Sequence, residues 1–101
     1  MITYSVFIYL KKVAESDWLN FMKQKHIEEV MNTGCFIEYK FKKQIESDNE
    51  DEVNFRIDYY LKNMDKMNEY IEIHSTALKQ DVLDRFGGYF RAERRIYEHI
   101  E

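Results

Sequence analysis

The chain has no proline, only three glycines and a single cysteine among its 101 residues. With so few punctuating residues it carries no linker, so one domain spanning residues 1–101 is expected. The lone thiol, Cys35, excludes an internal disulfide. No apolar run approaches the roughly 20 residues of a membrane helix. The opening MITYSVFIYLKK has neither the positive n-region nor the small-residue cleavage site of a secretory leader. A cytoplasmic protein without a membrane partner is the expectation. Nor is positive charge in excess: 15 Lys and Arg stand against 19 Asp and Glu, a net charge of −4, which disfavours a general nucleic-acid binder.

What is abundant is aromatic surface, 16% of residues. Faces that large have to be buried. Ile2 to Leu10 alternates, with Ile2, Tyr4, Val6, Ile8 and Leu10 on one side and Thr3, Ser5, Phe7 and Tyr9 on the other, the period of a strand. Glu15, Ser16 and Asp17 then start a helix whose apolar arc holds Trp18, Leu19, Met22, His26 and Val30, with His26 near its centre. Asn32-Thr33-Gly34 supplies its stop. Cys35 to Ile45 alternates again, placing Cys35, Ile37, Tyr39, Phe41 and Ile45 on one face against Phe36, Glu38, Lys40, Lys42 and Gln44. Glu46 to Asp51, ESDNED, reads as a solvated hairpin loop without the spaced ligands and central glycine of an EF-hand. Val53 to Leu61 is the third strand. Asn63 caps a second helix, Met64 to Arg85, whose arc collects Met67, Tyr70, Ile71, His74, Leu78 and Val82; Tyr89 to Ile100 closes the chain as a strand.

Strand-helix-strand, hairpin, helix-strand is the β-α-β-β-α-β order of the ferredoxin-like α+β fold, a four-stranded antiparallel sheet with both helices on one face. The other sheet face is left open. It would present Phe7, Tyr9, Phe36, Arg56 and Tyr97, more apolar surface than a monomer usually exposes. A homodimer, two sheets closing into a dimeric α/β barrel, is the economical solution. The run Trp18-Leu19-x-Phe21-Met22-Lys23-x-x-His26-Ile27-x-x-Val30, followed by Thr33-Gly34-x-Phe36, resembles the first-helix signature of an uncharacterised bacterial domain-of-unknown-function family with ferredoxin-like, dimeric α/β-barrel character. The similarity runs nearly end to end and takes in Tyr4-x-Val6, Arg85-Phe86-Gly87 and Arg94. It implies the fold and the dimer, in the wider company of cofactor-free monooxygenases and small-ligand binders. It departs at Glu28, where members carry proline, so a kink built on that proline has no counterpart.

His26 is the first functional candidate, because an imidazole facing the sheet could orient or deprotonate a bound molecule near neutrality. The competing reading is a packed histidine bonded to a tyrosine or carbonyl. Tyr4, Tyr39 and Tyr59 share the helix side and complete a small-ligand pocket with His26, His74 and Arg94. Arg94, among apolar neighbours in the last strand, is a receptor for an anionic group, unless its head simply reaches water. His26 and His74 with Cys35 are too sparse a set to expect a metal, and no cofactor is expected. A structural homodimer without chemistry is the alternative function. A sheet-surface RNA reader is a minor one, suggested by Tyr60 and Tyr97 beside Arg91 and Arg95 but opposed by Glu38, Asp58 and Glu93 on the same face.

Overall fold

The structure, a computed structural model, describes residues 1–101. Strand β1 (Ile2–Lys11) lies inside the sheet because both of its faces can be buried: Tyr4, Val6, Ile8 and Leu10 on one side, Thr3 and Ser5 on the other. It pairs antiparallel with β3 (Glu52–Leu61) and with β4 (Phe90–Glu98), and β3 pairs antiparallel with β2 (Glu38–Lys43). The order β2-β3-β1-β4 is the ferredoxin-like sheet read from the sequence. Its two edges are β2 and β4, the strands richest in charge. No helix is long and apolar enough to cross a membrane.

Both helices differ from regular ones in the same way. Helix α1 runs as Glu15–Phe21, a π-helical turn over Met22–His26, then Ile27–Asn32. Helix α2 runs as Met64–Glu69, a π-helical turn over Tyr70–His74, then Ser75–Phe86. In each, an amide reaches five residues back, Ile27 N–H to the Met22 carbonyl and Ser75 N–H to the Tyr70 carbonyl. Such a turn holds one residue more than an α-helical one. The apolar face therefore slips by one position. Ile27 and Ser75, both buried, take the places that a regular helix would give to His26 and His74, and the two histidines move to half-buried positions beside the core.

Trp18 is wholly buried at the centre of the core, with its ring 4.7 Å from Phe55 and 5.7 Å from Phe41. Asn63 accepts from the Lys66 amide as the cap expected of it. Gly34, at φ 76°, ends α1 with its N–H on the Met31 carbonyl at 3.2 Å, a conformation that favours glycine.

Three sequence expectations are corrected. The second strand begins at Glu38, not Cys35, and Ile45 lies beyond it and is fully exposed. Phe36 is therefore not on the open face: the chain crossing from α1 to β2 tucks it into the core, its ring 4.8 Å from Tyr70 and 5.1 Å from Tyr59. The last strand stops at Glu98, leaving Ile100 exposed.

The open face is also less bare than its sequence implies. Phe7 is covered by the guanidinium groups of Arg56 and Arg95, at 4.9 and 5.5 Å, and Tyr9 by Arg91 at 3.9 Å. Beneath them Asp58 is buried. It accepts from Ser5 Oγ at 2.5 Å and Arg56 Nε at 2.9 Å, and pairs with Lys42 Nζ at 3.0 Å.

Candidate functional site

Between the helices and the inner sheet face lies a cavity of about 230 Å³. Val6, Ile8, Ile57, Phe90 and Ala92 form its sheet wall, Trp18, Met22 and Val30 come from α1, and Val82 and Leu83 come from α2. Its polar residues are Tyr4, His26, Tyr59, Tyr70, Lys79 and Arg94, with no carboxylate among the lining. Four residues expected at the site are thus brought together: His26, Tyr4, Tyr59 and Arg94. Tyr39 is not one of them, because β2 is an edge strand and its ring is left exposed, 6.5 Å from Tyr59. His74 is not either; it stands with Cys35 and Glu69.

Arg94 lies opposite Val6 on the outer strand, where its charge acts on the Tyr4 phenol. Burial pushes the Tyr4 phenol up, and Arg94 opposes that rise. On the facing helix, burial and then the charge of Arg94 hold the Lys79 ammonium below its ordinary range. Neither cation has a carboxylate within ion-pair distance, whereas Lys25, Lys42, Lys43, Arg56 and Arg85 all do. Arg94 is exposed and Lys79 half-buried, so the edge of the apolar cavity carries two neighbouring cations without an acidic partner.

His26 is held neutral. Burial lowers its pKa, against smaller opposing effects of Glu29 and Asp81. Asp81 is already engaged, bridging the helices to Lys25 at 2.8 Å and bonding Arg85 at 3.1 Å. The His26 Nδ1 and the Trp18 Nε1 are buried without a hydrogen-bond partner, and both residues line the cavity. Orphaned buried polar atoms are rare and call for an explanation. Burial first raises both the Tyr59 and Tyr70 phenols, followed for Tyr59 by the nearby Tyr70 and for Tyr70 by the nearby Tyr4, so both are neutral donors.

The sequence reading missed Lys79, and it took Trp18 and Tyr70 for core alone. No sequence signal pointed to Lys79: a wheel at about 100° per residue puts it well off the arc of Leu78 and Val82, and the one-position slip of the π-helical turn brings it to the cavity.

Residues 1–100 match the family described as a domain of unknown function (DUF4286). The chain belongs to this family. No curated protein is significantly similar in sequence to this DUF4286 chain. Among solved structures it is similar to an EthD-family protein from Bacillus halodurans, at 12% identity over 99% of this chain and 100% of the other, TM-score 0.70. It is similar too to a dimeric ferredoxin-like protein from an uncultured marine organism, at 11% identity over 100% of this chain and 96% of the other, TM-score 0.71. A third is SnoaB, a cofactor-independent oxygenase from Streptomyces nogalater, at 7% identity, 99% and 94% coverage and TM-score 0.63. At these identities the likeness is one of fold.

Proposed function

We propose that this DUF4286 chain binds a compact, largely apolar small molecule carrying one acidic group, in the cavity between helices and sheet. The observation that carries the reading is the pairing of an apolar interior with two cations, Arg94 and Lys79, that have no acid of their own. The volume of about 230 Å³ falls just under the roughly 300–1,000 Å³ of ordinary ligand pockets. A single ring system with a carboxylate or phenolate is the right scale. The acidic group meets Arg94, Lys79 and the Tyr4 hydroxyl; the body rests on Trp18, Met22 and Ile57; a ligand polar atom satisfies Trp18 Nε1 or His26 Nδ1. Neutral His26 is also a base for a weakly acidic ligand proton. The fold shared with a cofactor-independent oxygenase is consistent with proton chemistry of that kind, needing no metal or coenzyme.

The test is a titration of small aromatic acids against Trp18 fluorescence, beside native mass spectrometry of the freshly purified protein. Arg94→Ala is expected to weaken binding roughly tenfold to a hundredfold, the value of a charge-assisted hydrogen bond. His26→Ala should weaken it with little change in folding. If no acid binds and no extra mass accompanies the protein, the pocket reading fails.

A second reading concerns the sheet face opposite the helices. The arginine-covered patch of Phe7 and Tyr9, next to exposed Tyr97, is the surface on which a second copy would close a barrel, and one fold relative is itself described as dimeric. Phe7→Glu sets like carboxylates against each other across a two-fold axis. It is expected to raise the dimer dissociation constant at least about tenfold, or 1.4 kcal/mol, in sedimentation at low concentration. A wild-type monomer would dispose of this assembly.

A further inference from the structure

Apart from the cavity, one cluster of ligating side chains is gathered in the molecule: Cys35, Glu69 and His74, whose donor atoms all lie within 4.8 Å of one another. We propose that these three residues bind a divalent transition ion of the zinc class and leave a fourth coordination position open. Cys35 follows the Gly34 stop of α1 and is buried. Its backbone is fixed by an N–H bond to Thr33 Oγ1 at 3.3 Å, and its Sγ donates to Glu69 Oε2 at 3.0 Å. Glu69 and His74 are half-buried, so the cluster is reached from solvent on one side.

The helix is what assembles it. Five residues apart on a regular α-helix, Glu69 and His74 would diverge by about 140°. The π-helical turn over Tyr70–His74, closed by the bond from Ser75 N–H to the Tyr70 carbonyl, turns them back toward one side, and it distorts His74 itself to φ −113°. Turns of this kind recur where a helix must aim side chains at a ligand. The spacing also suits the ion. With metal–sulfur, metal–nitrogen and metal–oxygen bonds of about 2.0–2.3 Å, tetrahedral ligand atoms sit about 3.4–3.6 Å apart. The present Sγ–Oε2 separation of 3.0 Å and the 4.8 Å limit bracket that value, so rotamer adjustment suffices.

The ligand chemistry selects among ions. One sulfur, one imidazole and one carboxylate favour a borderline cation over calcium or magnesium, which take oxygen alone. Binding replaces the Cys35 thiol proton, which leaves to solvent, and the thiolate becomes the metal's sulfur ligand. It also draws Glu69 from Lys66, its exposed neighbour at 3.6 Å.

The test is titration of the intact, reduced protein with Co²⁺, followed by competition with Zn²⁺. Wild type is expected to bind one Co²⁺ with thiolate-to-metal charge transfer and intense four-coordinate visible bands, both removed by Zn²⁺. Cys35→Ser should abolish the charge transfer. His74→Ala and Glu69→Gln, which alter partly exposed side chains and keep the test valid if Cys35→Ser fails to fold, should each weaken Co²⁺ beyond the roughly 10–100-fold that loss of a mere supporting contact costs. A featureless titration up to millimolar Co²⁺, or a spectrum and affinity unchanged in His74→Ala and Glu69→Gln, overturns the proposal.

Discussion

Trp18→Ala is expected to cost about 3–5 kcal/mol, the range for emptying an aromatic site in a packed core. The residue is 0% exposed and touches the rings of Phe55 and Phe41 while walling the cavity. Truncation would join a new void to an existing one, so little collapse can repair it. Against a total of roughly 5–15 kcal/mol for a domain of this size, the variant loses about a fifth of its stability or more. Urea unfolding followed by far-UV circular dichroism measures it, since the sole tryptophan reporter is gone. Trp18→Phe is the informative partner. It retains most of the ring, deletes the unpartnered Nε1–H, and is expected to cost less than about 1.5 kcal/mol. A loss below about 1 kcal/mol for the alanine variant would contradict the packing described for the core.

The second large effect lies on the opposite side of the sheet. Asp58→Ala is expected to cost about 2–3 kcal/mol, because a buried acceptor of charge-assisted bonds vanishes and the fully buried Ser5 hydroxyl is stranded. Its two cationic partners are half-exposed and return to water, which keeps the loss below that of a wholly buried ion pair. Burial alone would raise the Asp58 pKa, but the bonds from Ser5, Arg56 and Lys42 outweigh it and the net shift is downward. A carboxylate depressed in the folded state stabilises fully above its unfolded pKa of about 3.9, and that contribution is lost as pH falls through the lower folded value. Wild type should therefore lose stability in acid over a window that Asp58→Ala lacks. Chemical-denaturation midpoints from neutrality to about pH 2.5 compare the two slopes; parallel curves would show that Asp58 is not the titrating group.

Most of the fold was legible because alternation by twos and an arc of apolar residues are local signals. β1 and β3, the cap at Asn63 and the stop at Gly34 follow from them directly. Phe36 was misplaced for a physical reason: parity holds only where the chain is a strand, and residues 35–37 are a crossing segment. The two histidines were misplaced by one helical position each, since a wheel at a fixed angle cannot foresee a π-helical turn. Arg94 and His26 were found because a polar group on an apolar face is visible in sequence. Glu69 was not, because only the turn that follows it sets it beside His74 and Cys35.

The edges of the sheet carry a further consequence. β2, EYKFKK, and β4, FRAERRIYE, are the two strands with unpaired backbone donors and acceptors, and each holds at least three Lys or Arg side chains. A foreign strand laying itself along either rim would have to desolvate a row of charged side chains, Lys40, Lys42 and Lys43 on one edge and Arg91, Glu93, Arg94 and Arg95 on the other. Growth of the sheet sideways is thereby disfavoured at both rims, the two places where fibres would have to start.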